Sequence, residues 1–286
     1  MALHVQPSLS RYKTAQNISY RSYLRGCVVF DTLQRANQKV KCPFCGSENV
    51  SLFGKTKKGT QRYICKHNEC SHKTFQLEYK YNACKPGVHE RIIEMAMNGS
   101  GTRDTGRALR ISKDTVTAVL KKTEKFVIPV NQKFLDEHKT VDIEIHNALA
   151  TEMDEMWSFC GNKKHEIWLW WAVDHATNTP LAFVFGTRKH KYLKELLALL
   201  KPFHIGKVYA DGNFAYSDNI PADKLVVGKK NTQKIERNHL TLRTRIKRLC
   251  RKTICFSKRA DIHKAVIGTF INIFFFGRHF DISMIL

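Results

Sequence analysis

The chain has 286 residues, of which 48 are Lys or Arg and 25 are Asp or Glu, so its formal net charge is +23. This excess argues against a generic cytosolic enzyme, because so basic a surface repels itself unless a polyanion neutralises it. The ordinary intracellular polyanion is nucleic acid. Hydrophobic residues make up 43% of the chain and aromatic residues 10%, which is enough for a folded core and excludes a wholly disordered protein.

Neither a membrane span nor a secretory signal is predicted. The longest apolar run, near Val266 to Phe276, is shorter than the roughly 18 residues that a spanning helix needs, and Gly268 and Asn272 interrupt it. Near the amino terminus, the apolar segment from Cys27 to Phe30 is too short for a signal core. The nine cysteines are an odd number, which favours a reducing compartment, with some thiols committed to a metal, over a disulfide framework.

Residues 1–40 form a basic lead-in that we leave unassigned. The segment contains six Lys or Arg and one acid, Asp31, and shows no helical or strand period. A start codon chosen too far upstream is an equally good explanation for it.

Residues 41–80 are predicted to form a zinc-ribbon-like knuckle. Two residues separate Cys42 from Cys45, nineteen follow, and four separate Cys65 from Cys70. Tetrahedral Zn²⁺ takes two thiolates from each of two tight turns, and a closed site of four ligands is structural, because no position is left for substrate. Two alternatives stay open: His67 or His72 could replace a thiolate, or the thiols could be buried without metal.

Residues 86–126 are predicted to form a helix-turn-helix. The first helix has its apolar period at Val88, Ile92, Met95 and Ala96. The second spans Thr102 to Leu109, with Thr102 as N-cap and with Ala108 and Leu109 facing inward. Ser112 caps the third, whose inward residues are Val116, Val119 and Leu120. Three helices that only pack on each other are the competing interpretation.

The third helix would be the recognition helix in that arrangement. Its early residues would reach base edges in the major groove, and lysines further along would meet phosphates. The base-reading candidates are Lys113, Asp114, Thr115 and Thr117, and the phosphate-binding candidates are Lys121 and Lys122.

Residues 127–147 look like a linker, and residues 148–276 change to an α/β pattern. Strands are predicted at 149–159, 166–173, 181–185, 205–210 and 224–227. Helices are predicted at 192–200, 233–250 and 257–276, the last with Ser257 as its cap.

Three carboxylates in this region are candidate ligands for divalent cations. Cleavage of a phosphodiester with two cations needs several carboxylates from different elements. Asp154 lies on the first strand, where Glu152 shares its face and Glu155 faces the other way. Asp211 directly follows a buried strand, a common position for sites in open α/β sheets.

Glu236 is the third candidate. From Lys224 to Ala260 it is the only acid among thirteen Lys and Arg. An exposed ion pair would explain it alone, but the helical period places Glu236, His239, Leu240 and Arg243 on one face. Ile235, Leu242, Ile246 and Leu249 form the stripe that would be buried. Asp174, after the Trp-rich strand, is interpreted as a turn cap rather than a ligand.

These stretches closely resemble the DDE transposases of bacterial insertion sequence 1. In the carboxyl half the matching motifs are EMDEMW at 152–157, YADGNFAY at 209–216, KIERNHLTLR at 234–243 and FSK at 256–258. In the amino half they are CPFC at 42–45, QRYIC at 61–65, KPGVH at 85–89 and MAMNG at 95–99. The resemblance covers about residues 40–276 and leaves residues 277–286 as an unplaced tail.

The resemblance implies a ribonuclease H-like catalytic domain in an α/β chain, preceded by the zinc knuckle and the helix-turn-helix. The acid triad of the family falls on Asp154, Asp211 and Glu236, with Mg²⁺ or Mn²⁺ as cofactor beside structural Zn²⁺, and its basic residue falls on Arg243. Sequence-independent contacts to the duplex are expected from Arg245, Lys247, Arg248, Arg251 and Lys252.

The expected activity is binding of the terminal inverted repeats, strand cleavage and strand transfer. Double-stranded DNA, as element ends and target, is the expected partner, and a homo-oligomer is expected because two ends must be bridged. The expected location is the bacterial cytoplasm, at the nucleoid. The alternative function is that of a non-catalytic DNA-binding regulator or a decayed transposase.

Overall fold

The computed structural model describes residues 40–138 and 149–278. The chain divides into two compact units between Leu77 and Glu78. The predicted lead-in up to residue 39, the end of the predicted linker at 139–148 and the tail from residue 279 lie outside the described residues. Among the helices that are described, none is long and apolar enough to cross a membrane.

The first unit is a small antiparallel sheet with a four-cysteine cluster. Its strands are β1 (Val50–Lys55), β2 (Gln61–Cys65) and β3 (Thr74–Gln76), in that order across the sheet. Among the described residues of this unit, the buried hydrophobic ones are Phe75 and three of the cysteines. So small an apolar core gives little stability by itself, and domains of this size usually need a metal or disulfides.

The second unit begins with three helices: α1 (Val88–Met97), α2 (Thr102–Leu109) and α3 (Lys113–Glu124). The hydroxyl oxygen of Ser112 accepts a hydrogen bond from the Asp114 amide at 3.1 Å, which confirms the predicted cap of α3. Gly101, and not Thr102, occupies the N-cap position of α2. The predicted cap was one residue late, because Thr102 already has helical backbone geometry.

The inward face of α2 also differs from the prediction. Ala108 is exposed, whereas Thr105 and Gly106 are buried. A Cβ at position 106 would lie 2.9 Å from the carbonyl oxygen of Ile111, so the turn before α3 approaches α2 where only a glycine fits. The buried face of α2 is therefore set by the close approach of its backbone to the turn before α3, and the apolar periodicity of the sequence does not reveal this contact.

A five-stranded sheet forms the centre of this unit. Its strands are β4 (Ala150–Cys160), β5 (Asn162–Asp174), β6 (Pro180–Gly186), β7 (Lys207–Ala210) and β8 (Leu225–Val227). They lie in the order β6-β5-β4-β7-β8. The first three in the chain are antiparallel neighbours, and β7 and β8 add in parallel on the side of β4.

Helices cover both faces of this sheet. On one face lie α5 (His190–Leu200) and the short α6 (Phe214–Ser217). On the other lie α7 (Gln233–Arg245) and α8 (Ala260–Phe270), which continues as a π-helical turn over Ile271–Phe275. The two faces are buried because residues alternate along β4: Met153 belongs to the first core and Met156 to the second.

The helix-turn-helix shares a core with α7 and α8. Ile92 of α1 and Val116 and Leu120 of α3 are buried in the same cluster as Val266 and Phe270 of α8. The connecting segment is structured where it is described. It contains α4 (Gln132–His138), and its backbone at Ile128 is held by the side chain of Asn272 through bonds of 2.9 and 2.8 Å.

The two C-terminal helices are shorter than predicted. Helix α7 ends at Arg245 and is followed by a separate 3-10 turn at Lys247–Leu249. Helix α8 begins at Ala260, and Arg259, not Ser257, is its N-cap. The hydroxyl of Ser257 is instead buried and bonded to His263 Nδ1 at 2.9 Å, so a tertiary partner replaced the predicted cap.

Candidate active site at the edge of two parallel strands

Asp154 lies on β4, and Asp211 directly follows β7, the parallel neighbour of β4. The register places Glu152 of β4 opposite Tyr209 of β7, and each aspartate comes two residues later along its own chain. Neighbouring strands lie about 4.8 Å apart, so the two backbones are adjacent at this point. The ring of His175 contacts the ring of Tyr209, with centroids 4.6 Å apart, and its Nδ1 also bonds Glu152. The side chains of Glu152 and Tyr209 therefore project from the same face of the sheet.

Glu236 lies in the first turn of α7, the helix packed on that face. The start of α7 is anchored to β4, because the buried carboxylate of Glu152 accepts a 3.0 Å bond from the Ile235 amide. The hydroxyl of Thr232, the N-cap residue, donates to the Lys229 carbonyl and makes no capping bond to the helix. A carboxylate from the strand therefore caps the helix and favourably meets its positive end.

Electrostatics shows that the three carboxylates are neighbours. Burial raises the pKa of Asp154 to about 7, with smaller contributions from the charges of Glu155, Asp211 and Glu236. Asp154 retains 22% side-chain exposure, Asp211 is half-buried and Glu236 is exposed. Their ligand atoms are not all within 4.8 Å of one another; among the described residues only the cysteine cluster is that tight. The site is thus a loose, negatively charged group.

Glu155, on the opposite face of β4, holds the loop that carries Asp211. Its buried carboxylate accepts bonds from Asn213 Nδ2 at 2.7 Å, Tyr216 Oη at 3.0 Å and Arg188 Nε at 2.9 Å. The backbone amide of Asn213 in turn donates to Asp211 Oδ1 at 3.0 Å. Asn213 thereby links the position of Asp211 to the central strand.

His239 supports Asp154 from α7. Trp171 Nε1 donates to His239 Nε2 at 2.7 Å, and an indole nitrogen can only donate. The proton of the neutral ring therefore sits on Nδ1, which lies 3.5 Å from Asp154 Oδ2. Burial, together with the charge of Arg243, lowers the pKa of His239 to about 3, so the ring stays neutral and this tautomer persists.

The predicted common face of Glu236, His239 and Leu240 is wrong in one respect. His239 is buried beneath the sheet, whereas Leu240 is 64% exposed. The predicted buried stripe of Ile235, Leu242, Ile246 and Leu249 is confirmed. His239 can be buried on the same side of α7 as this stripe, because the indole nitrogen of Trp171 provides a hydrogen bond to its ring.

Arg243 lies one further turn along α7. Burial lowers the pKa of its guanidinium, as does the charge of Arg251, while the charge of Asp154 opposes the shift. Arg243 is half-buried, so a cation lies beside the carboxylate group without being covered. Asp174 is a structural residue, as predicted: its Oδ2 accepts 2.7 Å bonds from the amide and hydroxyl of Thr177.

Sequence reasoning missed the supporting residues of the site. Their roles depend on contacts across long sequence distances, for which no local signal exists. They are Glu152 as the cap of α7, Trp171, Arg188 and Asn213. The available hint was that Glu152 and Asn213 lie within the same motifs as Asp154 and Asp211.

The four cysteines of the first unit do form one group. Their sulfur atoms lie within 4.8 Å of one another, with Cys42 to Cys70 at 3.8 Å and Cys45 to Cys65 at 3.6 Å. Four thiolates at about 2.3 Å from a tetrahedral Zn²⁺ would be about 3.8 Å apart. His67 and His72 are not members of the group, and the ring of His72 stacks on Phe44 instead.

The proposed recognition helix offers a polar side. Lys113, Asp114, Lys121 and Lys122 are exposed. Thr115 is half-buried and its hydroxyl bonds Tyr81 Oη at 2.7 Å, and the Thr117 hydroxyl donates to the Lys113 carbonyl. Both threonine hydroxyls are therefore already engaged within the protein.

Four of the five predicted duplex-binding residues in the C-terminal region are exposed, namely Arg245, Lys247, Arg251 and Lys252. Arg248 differs. Its guanidinium donates to the Ala96 carbonyl of α1 at 2.9 Å and to the Ser257 hydroxyl at 3.0 Å. The assignment of Arg248 to the DNA surface was therefore wrong, because this side chain connects α1 to the C-terminal region inside the fold.

Two family models match the chain. Residues 148–277 match the model described as IS1 transposase, and residues 79–124 match the InsA C-terminal domain. Similar curated proteins include the insertion element iso-IS1n protein InsB of Shigella dysenteriae, 55% identical over 124 residues, or 43% of this chain and 95% of that protein. The chain belongs to the IS1 transposase family.

Further members of this family are more distant. The insertion element IS1 protein InsB of Shigella sonnei is 39% identical over 125 residues, which is 44% of this chain and 95% of that protein. The IS1 9 protein InsB of Escherichia coli K12 has the same identity over 75% of its length. The family assignment adds a helix-turn-helix DNA-binding domain and a DDE transposase domain to the geometry described above.

Proposed function

We propose that this chain is a DDE transposase that cleaves DNA at the ends of an insertion sequence and joins the freed 3′ hydroxyl to target DNA. The observation that carries this proposal is the placement of three acids that are distant in sequence: Asp154 on β4, Asp211 directly after its parallel neighbour β7, and Glu236 in the first turn of α7, which is anchored to β4. The effect of the Asp211 and Glu236 charges on the pKa of Asp154 supports their grouping. A family member needs such a group for divalent-cation chemistry.

The sheet supports a ribonuclease H-like assignment for residues 148–276. Three antiparallel strands followed by two parallel strands, in the order β6-β5-β4-β7-β8, place one aspartate on the central strand and one after its parallel neighbour. The proposed domain division, with a knuckle at 41–80, a helix-turn-helix at 86–126 and a linker at 127–147, follows the two family matches and the cysteine cluster.

Each side chain then has a defined role. Asp154 and Asp211 would bind Mg²⁺ or Mn²⁺, and Glu236 would complete the coordination. Bound cations would supply the positive charge that stabilises the attacking and leaving oxygens of the phosphodiester. His239 holds Asp154 in place, Asn213 holds Asp211, and Glu152 holds the start of α7. Arg243 would contact a phosphate near the scissile bond, since it lies beside the acids and remains partly accessible.

The remaining proposals concern DNA and zinc. Residues Lys113, Asp114, Thr115 and Thr117 would read base edges, and the exposed lysines and arginines at 121, 122, 245, 247, 251 and 252 would meet phosphates. Cys42, Cys45, Cys65 and Cys70 would hold structural Zn²⁺. We also propose a homo-oligomer, since one protein complex must hold two element ends, in the bacterial cytoplasm where that DNA lies.

The test uses three neutral substitutions: Asp154→Asn, Asp211→Asn and Glu236→Gln. Each should lower Mg²⁺-dependent strand cleavage and transfer by roughly a thousandfold or more, because a metal ligand is lost, while the affinity for element ends stays within about twofold. Asp218→Asn is the matched control, since Asp218 is an exposed acid with only a 3.8 Å contact to His190.

Normal strand transfer by the three variants would refute the proposal that these carboxylates catalyse the reaction. A wild-type protein that binds ends but never cleaves them with Mg²⁺ or Mn²⁺ would support the alternative, a non-catalytic DNA-binding regulator. Circular dichroism of each variant establishes that the fold is retained.

A further inference from the structure

At one end of the five-stranded sheet, the described residues cover the aromatic side chains only in part. Glu155, Trp157 and Phe159 are every second residue of β4 and lie on the face of the sheet that is packed against α5 and α6. Those helices cover this face as far as Trp170, which packs against Tyr216 of α6. Beyond that point, toward the β4–β5 hairpin, Trp157 is 36% exposed.

These aromatic residues form a continuous row. Trp157 lies directly opposite Trp168 of β5 in the register. Ring centroids are 5.4 Å apart from Trp157 to Phe159 and 5.3 Å from Phe159 to Phe256. We call Trp157, Phe159, Trp168 and Phe256 the aromatic strip. Trp157 is exposed and the other three residues are half-buried, and contiguous apolar surface that stays accessible often marks a binding site.

The strip is connected to the proposed active site by hydrogen bonds. The guanidinium of Arg188 lies 5.0 Å from the centre of the Trp168 ring and bonds Glu155 Oε1 through Nε and Nη2, both at 2.9 Å. The same oxygen accepts from Asn213, whose amide bonds Asp211. This chain of bonds runs from the strip to the loop that carries Asp211, while Asp154 lies on the opposite face of the sheet.

The charge around the strip favours a nucleic acid. Arg188 keeps 52% of its side chain exposed despite these bonds. Lys163 and Lys164 in the hairpin and Lys258 after Phe256 are exposed as well. Glu166 is bonded to the indole nitrogen of Trp168 at 3.1 Å, so its carboxylate lies at the edge of that ring and leaves a ring face for contact.

We propose that the aromatic strip stacks an unpaired base of DNA at the end of the sheet that is linked to the Asp211 loop, with Arg188 contacting the adjoining phosphate. Aromatic rings within a basic surface are the usual platform for single-stranded nucleic acid, since every base has a flat face that can stack. Arginine over an indole adds a planar cation that binds phosphate oxygens. This inference rests on the proposed function, because only a DNA substrate places unpaired bases there.

The experiment compares two DNA probes in EDTA, where no cleavage occurs. One is a blunt duplex, and the other is the same duplex with a short unpaired 3′ extension; fluorescence anisotropy gives both affinities for the full-length protein. Trp157→Ala should lower the affinity for the extended probe by roughly 5- to 100-fold and leave the blunt probe unchanged. Trp157→Phe should restore most of the preference, because a ring that can stack remains.

Phe274→Ala is the matched control, since Phe274 is an exposed aromatic residue outside the strip. The inference is wrong if Trp157→Ala binds the extended probe as well as the wild type, or weakens both probes equally. It is also wrong if sedimentation shows that Trp157→Ala only abolishes self-association, because a second copy would then cover the strip.

The two proposals fail in different ways. If the wild type prefers the extended probe but never cleaves DNA with Mg²⁺, the transposase mechanism is wrong and the stacking site stands. If cleavage occurs and Trp157→Ala leaves the preference for the extended probe intact, only the stacking site is wrong.

Discussion

The four cysteines and the three carboxylates are both proposed to bind divalent cations, yet they are built in opposite ways. The sulfur atoms lie within 4.8 Å of one another and come from one short segment. The carboxylates come from a strand, the loop after its parallel neighbour and a helix, and they do not form so tight a group. A structural metal needs a closed, tight ligand set, whereas a catalytic metal needs ligands that still admit substrate.

The surroundings of the two groups differ for the same reason. The cysteine unit has few buried apolar residues, so its ligands are a large part of its core. The carboxylates are positioned by a separate set of residues, among them His239, Asn213 and Glu152. Loss of one ligand should therefore unfold the first unit, but disable the second without unfolding it.

The largest expected effect is in the cysteine unit. Cys65→Ser should release zinc and unfold residues 40–77, because a domain this small depends on its metal. Metal content by mass spectrometry and protease digestion of the native protein measure the two consequences. Cys84→Ser is the matched control, since Cys84 is exposed and outside the cluster; a metal-free wild type that resists digestion would contradict the zinc assignment.

A smaller effect is expected where the carboxylates are supported. His239→Phe keeps a ring in place but removes the partner of both Trp171 and Asp154. Loss of such a supporting contact typically lowers activity by about 10- to 100-fold, so strand transfer should fall by this factor while end binding is unchanged. Leu240→Ala, at the exposed neighbouring position, should leave both unchanged.

His239→Asn adds a readout specific to positioning. A neutral side chain that can donate to Asp154 should recover part of the activity lost in His239→Phe. Equal activity of the two variants, or a parallel loss of end binding in His239→Phe, would mean that His239 acts only by filling space.

The smallest effect concerns how the second unit is held together. Arg248→Met removes the bonds to Ala96 and Ser257 in the partly buried core and should cost about 2–3 kcal/mol. For a unit of this size the unfolding temperature should fall by roughly 5–10 °C. Arg245→Met is the matched control, because Arg245 is exposed; equal unfolding temperatures for the two variants would contradict the structural role of Arg248.

Local signals predicted the parts of the fold that depend on neighbouring residues. The Cys42 to Cys70 spacing predicted the sulfur cluster, and Ser112 was correctly predicted as the cap of α3. The strands at 149–159 and 181–185 were predicted to within a residue or two of their ends. These features arise from spacing and alternation, which are properties of a few consecutive residues.

Errors arose where distant residues met. Ser257 satisfies His263 and Arg248 instead of capping a helix, and Arg248 lies within the fold although its neighbours Lys247 and Arg251 are exposed. His239 is buried because Trp171, 68 positions away, satisfies it. No periodicity within one helix could indicate these partners.

Sequence alone was sufficient to propose candidate ligands, because thiols in paired turns and a solitary acid in a basic helix are chemical statements about residue types. It was also sufficient to indicate DNA as the partner, because net charge needs no geometry. Only the tertiary structure decided which elements pack against each acid, which residues support it and which aromatic rings stay accessible. Those properties depend on strand register and on packing between segments more than fifty residues apart, where desolvation and hydrogen bonding act.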